Sequence, residues 1–406
     1  MEASPGTCLL SPSCWRGHCG YEAREHCGYE ACPLEQYDVI VVGGGIAGSV
    51  AARFGAEQGL EILLLEKYRT PREKACSGIQ FPYLEKLIGE TIPREKLCKN
   101  ELYRIEMVTP SDKIIKAKMK MLNFWRSTFD SWLNKLATDA GAEFRDGTSL
   151  IDFRSENDSL TATIMNEDRQ SQVKANYLIG ADGSLSTVRR KLQPQDYGMK
   201  ASQATINYYF AGKAELDANT LYMFYKKEFC PSMFAWVYLK DNNWVIGTGA
   251  NENVAQYAER FYNYVQKKYR LSGEIVRREG FASTLQGGAY LGEGNVLLSG
   301  DSAGLIDEYR GMGMDNAALS GRLAVKAVVE AKSSQRSAIE IYQRLMKKSI
   351  NRFKTNEKRQ SSRYASNKTL EQSLSRINLL RGGLKMIVAN QINRLLPSDK
   401  FIFLPI

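Results

Sequence analysis

The chain has 406 residues, of which 43% are hydrophobic and 25% are charged, and its formal net charge is +10. This composition is ordinary for a globular protein and excludes a disordered or fibrous chain. At roughly 100–200 residues per domain, the length predicts two or three structural units. No run of about 18 uncharged apolar residues occurs, so we expect no membrane-spanning helix. The first residues also lack the pattern of a secretory signal.

The cysteines and histidines are concentrated at the start of the chain. Residues 1–36 hold five of the eight cysteines and both histidines, in an imperfect repeat that begins at His18 and again at His26. Clustered Cys and His can bind a soft metal, but this spacing fits no common zinc pattern. We expect a flexible extension and no metal site, because a short segment of this kind buries too little surface to order itself.

The body of the protein, from Gln36 onward, contains three cysteines and no histidine. We therefore expect no disulfide framework and a reducing compartment. Imidazole catalysis is excluded in this part, so a general acid or base must be Asp, Glu, Tyr, Lys, Cys or water.

The first predicted elements form a βαβ unit. Residues 37–42 and 61–66 are short apolar runs, which are typical of buried parallel strands. Residues 49–58 between them are expected to form a helix, whose small side chains allow close packing on the sheet. The second strand ends in an acidic residue, as it does in dinucleotide-binding folds.

The turn between the first strand and the helix has the spacing G-x-G-x-x-G. Gly43 permits the tight turn, Gly45 lets pyrophosphate approach the backbone, and Gly48 lets the helix contact the strand. The helix N-terminus supplies amide donors for phosphate. Glu66, at the end of the second strand, is expected to accept a hydrogen bond from a ribose hydroxyl.

Later segments distinguish a flavin from a nicotinamide dinucleotide. Residues 123–133 open a predicted helix, residues 177–184 form a strand that ends in Asp-Gly, and residues 295–304 form a strand that ends in Gly-Asp. A glycine-rich turn at 311–314 and a helix of small residues follow. In this order the features resemble the flavoprotein hydroxylase superfamily typified by p-hydroxybenzoate hydroxylase, over about residues 37–330.

This resemblance implies FAD as the cofactor and assigns roles to the matching residues. In that superfamily the arginine at the helix start contacts the FAD diphosphate and the aspartate of the Gly-Asp motif holds the ribityl chain, which implies Arg126 and Asp301. The amides of Gly311 and Gly313 would lie at the pyrimidine edge of the flavin, where they stabilise the anion of the reduced ring. The residues expected to bind the cofactor are Gly43, Gly45, Ala47, Gly48, Glu66, Arg126, Asp182, Asp301, Gly311, Gly313 and Met314.

The segment at 71–78 resembles the P-x-x-K-x-C-x-G stretch of the geranylgeranyl reductase family, which reduces isoprenoid double bonds. In that family the cysteine lies beside the flavin, and Cys76 matches it. The alternative is a small buried hydrophobic residue. The segment from Gly300 to Met314 departs from the pattern of this family at two positions. Glu308 stands where the family usually has proline, and Met312 stands where it has an acidic residue.

Residues 231–239 resemble the P-x-x-Y-x-W-x-F-P strand of the archaeal reductases, which faces the lipid pocket. Alternation along a strand predicts that Phe234, Trp236 and Tyr238 share one face. We expect that face to line an apolar substrate pocket. Ordinary sheet core is the alternative, because aromatic residues are favoured in strands generally.

The predicted fold class is α/β: a Rossmann-like FAD-binding domain with an inserted antiparallel β-sheet substrate domain and a helical C-terminal region. Within it we expect two strands in 101–120, a three-stranded meander in 148–176 and a helix from 254 to 269. The expected division is 1–36 as an extension; 37–100, 121–190 and 277–330 as the FAD-binding domain; 101–120 and 195–276 as the substrate-binding domain; and 331–406 as the basic helical region.

The C-terminal region is strongly basic. Residues 331–400 contain 16 Lys and Arg against 4 Asp and Glu, and apolar stretches begin near Leu379. A basic helical region with apolar stripes suits an anionic membrane surface, and a solvated charged cap is the alternative. No nucleic-acid-binding motif accompanies the charge, so nucleic acid is not expected as a partner. We expect a cytoplasmic protein, either free or peripheral at the inner face of the membrane.

The leading interpretation is an FAD-dependent oxidoreductase that reduces carbon–carbon double bonds of geranylgeranyl-type chains, with NAD(P)H or a ferredoxin as the electron donor. An unactivated alkene accepts hydride poorly, so the site must be dry and must supply an acid. Cys76, Tyr238 and water are the candidate acids. Two alternatives stay open: an FAD-dependent aromatic hydroxylase that uses NAD(P)H and oxygen, and a non-enzymatic flavin-binding protein at a membrane surface.

Overall fold

A computed structural model describes residues 34–156, 159–196, 202–284 and 288–397. The clustered cysteines and histidines of the predicted extension at 1–36 lie outside the described residues. From Gln36 onward the chain forms one unit, which is built on two eight-stranded sheets and a set of helices.

The strands and helices are numbered separately in chain order. The strands are β1 (Glu35–Val42), β2 (Ile62–Glu66), β3 (Ile79–Gln80), β4 (Leu102–Val108), β5 (Ile114–Asn123), β6 (Glu143–Asp146), β7 (Thr148–Glu156), β8 (Ser159–Asn166), β9 (Arg169–Gly180), β10 (Ser202–Lys213), β11 (Thr220–Phe224), β12 (Ala235–Lys240), β13 (Asn243–Ala250), β14 (Ser272–Thr284), β15 (Gly292–Glu293) and β16 (Val296–Leu298). The helices are α1 (Ile46–Glu57), α2 (Tyr83–Ile88), α3 (Arg126–Asp139), α4 (Thr187–Leu192), α5 (Val254–Lys268), α6 (Met314–Lys332), α7 (Ala338–Arg363), α8 (Asn367–Ser373) and α9 (Arg376–Leu395).

The first sheet contains the predicted βαβ unit and has the strand order β15-β16-β9-β1-β2-β6. β1 pairs with β2 and β2 with β6 in parallel, as β16 does with β9. All five residues of β2 are buried, as expected for a parallel strand covered on both faces. The predicted Rossmann-like architecture is confirmed. α1 begins three residues earlier than predicted, directly after Gly45, because the glycine turn itself supplies the start of the helix.

α6 packs closely against α1 on this sheet. A Cβ atom at Gly321 of α6 would lie only 2.1 Å from the carbonyl oxygen of Ala47 in α1, so the two backbones are nearly in contact. Only a residue without a side chain permits this approach. Ala47 in α1 and Met314 in α6, both in the first turns of their helices, line the same cavity.

The predicted three-stranded meander is present as β7, β8 and β9, but its third strand is longer than expected. The first part of β9 pairs antiparallel with β8 up to Ala175, and residues 178–180 then pair parallel with β16. The meander and the predicted strand at 177–184 therefore share one continuous strand. The alternation of side chains predicts both the third meander strand and the strand at 177–184. It does not reveal that the two are continuous.

The second sheet has the order β14-β10-β13-β12-β11-β4-β5-β3. Its β10-β13, β10-β14, β11-β12, β12-β13, β3-β5 and β4-β5 pairs are antiparallel, and β11 pairs with β4 in parallel. One face packs against α5 around Phe224 and Phe261, and the opposite face carries Trp236 and Tyr238. β14 pairs with β10 along its length, so the predicted domain boundary after residue 276 falls inside a strand.

The region after residue 331 is helical in its described part, as expected. A capping box between Ser337 and Glu340 starts α7, whose Tyr342 hydroxyl donates to the carbonyl oxygen of Leu298 at 3.0 Å. Leu370 of α8 and Leu374, which ends that helix, pack with Tyr225 and Tyr364. These contacts bring α8 against the second sheet, beside Met107 of β4 and Met223 of β11.

Candidate functional site

The glycine turn, residues 43–48, is shaped by very close backbone contacts. A Cβ atom at Gly43 would lie 2.4 Å from the carbonyl oxygen of Ala181, and one at Gly48 would lie 1.9 Å from that of Gly43. At Gly45, by contrast, the nearest atom would be Nη2 of Arg72 at 3.4 Å, and this residue lines a cavity together with Ala47. The first amides of a helix have no intrahelical acceptor, so α1 presents donors to that cavity.

Glu66 is buried and fixes the glycine turn. Its Oε2 accepts hydrogen bonds from the Gly44 amide at 3.0 Å and from Nε of Arg72 at 2.9 Å, and its Oε1 accepts from the Tyr68 amide at 3.1 Å. The carboxylate thus has protein partners on both oxygens. The predicted ribose contact stays a prediction.

Arg126 begins α3 and is almost completely buried on the cavity wall. It forms a bidentate pair with Asp130, Nε to Oδ1 and Nη2 to Oδ2, both at 2.8 Å. Arg72 contacts the same Asp130 at 3.3 Å and so joins this pair to Glu66. Burial alone would lower the pKa of Arg126. The charge of Asp130 and the neighbouring Cys76 act in the opposite direction and outweigh burial, so the pKa of Arg126 is raised. The guanidinium is a permanent positive charge suited to an anion.

Cys76 lies on the cavity wall between the two sheets. Its thiol is free and half-buried, and its Sγ lies 4.0 Å from Sδ of Met314 at the start of α6. Since Arg126 interacts with this thiol, the motif at 71–78 and the predicted diphosphate contact meet at one point, although they lie about fifty positions apart in the chain. Its catalytic role remains a prediction.

The Gly-Asp segment brings a carboxylate to the cavity wall. Asp301 lies in a short turn of 3-10 helix, and its Oδ2 is 3.4 Å from Nζ of Lys74. Gly313 precedes α6 and lies close to Asp301, while Gly311 has a φ of +63° and approaches the ring of Phe234. The predicted flavin turn therefore contacts the predicted substrate strand.

Asp182 is occupied by its own helix. Oδ1 accepts from the Ser186 hydroxyl at 2.5 Å, and Oδ2 accepts from the amides of Thr187 at 2.7 Å and Val188 at 3.2 Å, which begin α4. Burial raises its pKa despite these bonds. Its neighbours Ala181 and Gly183 line the cavity, whereas the Asp182 side chain caps the turn, and its predicted cofactor contact stays untested.

A buried ionic network holds the turn that precedes α6. Arg310 contacts Asp307 and Asp315, each at 2.8 Å, and all three side chains are almost fully buried. Tyr83 of α2 donates its hydroxyl to Asp315 at 2.8 Å, and Asn356 of α7 donates to Asp307 at 2.8 Å. The turn with Gly311 and Gly313 is thus tied to three helices. Sequence reasoning missed this network: Asp307, Arg310 and Asp315 are close in the chain but belong to no motif, and Tyr83 and Asn356 lie far from them in the chain.

The predicted aromatic face forms the opposite wall, with Trp236 and Tyr238 on β12 and Phe234 directly before that strand. Phe234 and Trp236 contact edge to face at 6.3 Å, and Trp236 donates its indole N–H to Oδ1 of Asn207 at 2.9 Å. A Cβ atom at Gly247 would lie 2.2 Å from that indole nitrogen, so only glycine leaves room for the ring. Phe234, Trp236 and Tyr238 all line the cavity.

Tyr238 and Lys240 both bond to the backbone beside Cys76. The Tyr238 hydroxyl donates to the Ser77 carbonyl oxygen at 3.0 Å, and Nζ of Lys240 donates to the same oxygen at 2.8 Å. Burial raises the pKa of Tyr238 well above its usual range and lowers that of Lys240. Lys240 also lies over the Trp125 ring at 4.5 Å. These contacts fix the position of the segment that carries Cys76.

One cavity of about 1290 Å³ joins the glycine turn of the first sheet to the aromatic face of the second. We call it the main cavity. Its second-sheet walls are apolar, and methionine is the commonest side chain in them. The methionines that line the main cavity are Met107, Met119, Met121, Met223, Met233, Met312 and Met314. Methionine fills irregular space and adapts to the shape of a ligand.

The residues of this cavity fit FAD. The glycine turn leaves a backbone surface that any side chain at Gly43 or Gly48 would disturb, and Arg126 adds a fixed positive charge for a diphosphate. Nε2 of Gln80 is buried and has no acceptor among the described residues, so it can donate to a bound group. The volume exceeds the ~300–1,000 Å³ of a typical small-molecule site, which leaves room for a second ligand.

Two negative findings concern the described part of the chain. No helix there is long and apolar enough to span a bilayer. No three or more His, Cys, Asp or Glu side chains there are grouped to hold a metal ion.

Two family models match the chain. The model of the FAD binding domain matches residues 104–343, which is more than half of the chain. The model of the NAD(P)-binding Rossmann-like domain matches residues 41–72, which hold the glycine turn, α1 and β2.

The chain is similar in sequence to reductases of isoprenoid lipids and similar in fold to a solved structure. The digeranylgeranylglycerophospholipid reductase of Methanosarcina acetivorans is 28% identical over 320 residues, which cover 73% of this chain and 76% of that protein. The geranylgeranyl diphosphate reductase of Rhodobacter capsulatus is 28% identical over 304 residues, with coverages of 72% and 75%. A geranylgeranyl bacteriochlorophyll reductase-like protein of Thermoplasma acidophilum superposes with a TM-score of 0.75 at 23% identity, covering 85% of this chain and 92% of that one. At that identity the superposition shows the fold alone.

Proposed function

The chain belongs to the FAD binding domain family and is an FAD-dependent oxidoreductase, and we propose that it saturates carbon–carbon double bonds of isoprenoid chains. One observation carries this proposal: the main cavity joins a dinucleotide-type glycine turn to a long apolar wall. A cofactor needs the first surface and an isoprenoid chain needs the second. The resemblance to the geranylgeranyl reductase family is confirmed, and the names of the relatives support this substrate class.

Bound FAD, once reduced by the electron donor, would supply the hydride that adds to one alkene carbon. Toward the cofactor, the first amides of α1 and the charge of Arg126 suit a diphosphate, and Asp301 suits the hydroxyls of the ribityl chain. The amides at Gly311 and Gly313 suit the flavin edge. Arg310, held between two buried aspartates, keeps that turn in place.

The apolar wall has two tasks in this reaction. It excludes water, which would otherwise compete for the proton, and it holds the alkene at a fixed distance from the hydride donor. Phe234 and Trp236 provide rigid surface, whereas the methionines adapt to the bends of an isoprenoid chain.

The second alkene carbon needs a proton, and we assign its delivery to Cys76. The thiol is half-buried on the cavity wall, beside the guanidinium of Arg126. Solvent protons restore the thiol after turnover. Tyr238 donates its hydroxyl to the Ser77 carbonyl and has a raised pKa, so we assign it the positioning of the Cys76 segment.

An anaerobic assay with the FAD-loaded protein tests this function. We would reduce it with dithionite, add geranylgeranyl diphosphate, and follow the mass of the lipid. We expect gains of about two daltons for each double bond reduced, and a large loss of rate in Cys76→Ala. A lipid of unchanged mass would contradict the proposal. Oxygen consumption coupled to NADPH and an aromatic substrate would then support the hydroxylase alternative.

We further propose that the protein contacts the inner face of a membrane. α9 presents five apolar side chains at a spacing of three or four residues, each between 40% and 88% exposed: Leu380, Leu384, Val388, Ile392 and Leu395. Leu380 and Leu384 also line the main cavity, so this stripe begins at its mouth. Arg381 and Lys385 lie among these residues and suit anionic lipid.

The reductant belongs to the same proposal. No second G-x-G-x-x-G unit is found in the sequence, so we propose either NAD(P)H bound at the flavin or a ferredoxin attracted by the basic surface. The rate of flavin reduction by NADPH, compared with that by reduced ferredoxin, decides between them.

A further inference from the structure

A second cavity of about 640 Å³ adjoins the main cavity. We call it the basic pocket. Four cationic residues of one face of α7 line it: Lys354, Lys358, Arg359 and Arg363. Hydroxyl and amide side chains from α8 and α9 complete the wall, and no Asp or Glu among the described residues lines it.

Among the residues that the structure describes, the cations of this pocket are not paired with carboxylates. Arg363 is half-buried, and its Nε donates to the Ser373 hydroxyl at 3.0 Å, while its guanidinium lies 5.0 Å from the Tyr225 ring centre and 5.3 Å from that of Tyr309. In the described parts of the chain, none of the four cations forms an ion pair. Four like charges on one helix face repel one another, so the arrangement favours an anionic ligand.

The basic pocket borders the main cavity. Tyr309, Arg359 and Arg363 line both cavities. From Arg363, ring contacts lead to Tyr225 at 5.0 Å, from Tyr225 to Phe234 at 5.4 Å, and from Phe234 to Trp236 at 6.3 Å. Tyr238 follows two residues farther along β12, about 7 Å away, and its hydroxyl bonds to the backbone next to Cys76. An apolar path therefore connects the cations to the predicted reaction centre.

We propose that the basic pocket binds the phosphate or diphosphate head group of the isoprenoid substrate, so that its chain extends along the aromatic path toward Cys76. This inference rests on the proposed function and adds a recognition site for the head. The phosphate belongs either to a diphosphate ester or to a glycerophosphate lipid, and both present the same chemistry to Lys and Arg. Anchoring the head would fix which double bonds reach the hydride donor.

The kinetic test compares substrates with and without the head group. The double variant Lys358→Gln, Arg359→Gln removes two exposed charges, and Lys347→Gln, Lys348→Gln removes two from α7 residues outside the pocket. We expect the first pair to raise KM about tenfold or more for geranylgeranyl diphosphate and for digeranylgeranylglyceryl phosphate, with little change in kcat. KM for uncharged geranylgeraniol should stay within twofold. The charged substrate whose KM rises more in this variant carries the natural head group.

A binding measurement separates this inference from the proposed function. Calorimetry with inorganic pyrophosphate on the FAD-loaded protein needs no turnover. We expect saturable binding that weakens about tenfold or more in Lys358→Gln, Arg359→Gln and is unchanged in the control pair. Equal affinity in all three proteins, or equal KM changes for charged and uncharged substrates, would overturn the head-group site even if the lipid is reduced. If no lipid is reduced but pyrophosphate binds as expected, only the proposed reaction fails.

Discussion

Glu308 places a carboxyl group on the wall of the main cavity, at a position where the resembled family has proline. Burial raises the pKa of Glu308 above its ordinary 4.5, and the charges of Glu357 and Asp307 raise it further. A carboxyl whose pKa is higher in the folded state costs stability when it is ionised, and this cost disappears at pH values where it is protonated in both states.

We therefore expect Glu308→Gln to raise the melting temperature above neutral pH, and the gain to shrink as the pH falls toward 4.5. Thermal unfolding of both proteins across this pH range checks the prediction. Glu259→Gln, at an exposed position on α5, is the control. A melting-temperature difference that does not vary with pH would contradict the sign worked out here.

Gly48 is the second residue-scale test. Its added Cβ would lie 1.9 Å from the Gly43 carbonyl oxygen, so the glycine turn must move in Gly48→Ala. We expect the variant to lose about tenfold or more of its FAD affinity, measured from flavin absorbance after dilution and filtration. Gly280→Ala adds a methyl group with an ordinary contact of 3.8 Å and should retain FAD. Equal retention in both variants would show that the turn does not bind FAD.

At this scale the sequence predicts residues that belong to local motifs. Gly43 is found from the G-x-G-x-x-G spacing, and Cys76 from the resemblance of residues 71–78 to a stretch of the reductase family. Gln80 is missed, because its unpaired amide is visible only when the second sheet is placed beside the first. Asp130 had a usable signal, since it lies four residues after Arg126 on a predicted helix and such pairs meet.

At the scale of elements, the turn before α6 depends on Arg310. Removing its charge would leave Asp307 and Asp315 buried without their main partner. We expect Arg310→Met to lower the free energy of unfolding by about 3–5 kcal/mol, because removing one partner of a buried ion pair is that costly. Chemical denaturation measures it.

The matched control is Arg344→Met, which breaks an exposed pair with Glu330. Such surface pairs contribute about 0–1 kcal/mol, so its unfolding free energy should hardly change. Similar losses in both variants would mean that the buried network does not stabilise this turn.

Helices and strands with a clear hydrophobic periodicity are predicted well, but the residues at which strands begin and end are not. α5 spans Val254–Lys268, within one residue of the expectation. β14 crosses an expected domain boundary, because its pairing with β10 continues past residue 276. The sequence pattern there does not indicate where the strand ends. Strand ends depend on the partner strand, which a single sequence does not identify.

At the scale of the molecule, the exposed stripe of α9 predicts membrane binding. We expect the protein to float with vesicles that contain anionic lipid and less with neutral vesicles. Leu384→Ser, Val388→Ser should weaken binding about tenfold or more, since each buried aliphatic side chain contributes about 1.5–3 kcal/mol. Ile114→Ser, Val276→Ser removes exposed apolar residues elsewhere and is the control. Equal flotation of both variants would argue against α9.

The overall architecture could be predicted because the βαβ unit and the inserted strands have local signatures. The position of the C-terminal helices could not. Tyr309, Arg363 and Asn378 meet at the basic pocket only because α7, α8 and α9 fold back over the second sheet. The sequence indicates their charge and periodicity but not the path that brings them there.

In the proposed reaction, reduced flavin in this cavity transfers its electrons to an isoprenoid double bond. A single-turnover experiment without oxygen tests it most directly, with the reduced FAD-loaded protein in excess over geranylgeranyl diphosphate. We expect each flavin oxidised to match one double bond lost, with a lipid mass gain of about two daltons. Flavin that stays reduced until oxygen is admitted, with the lipid unchanged, would contradict the account.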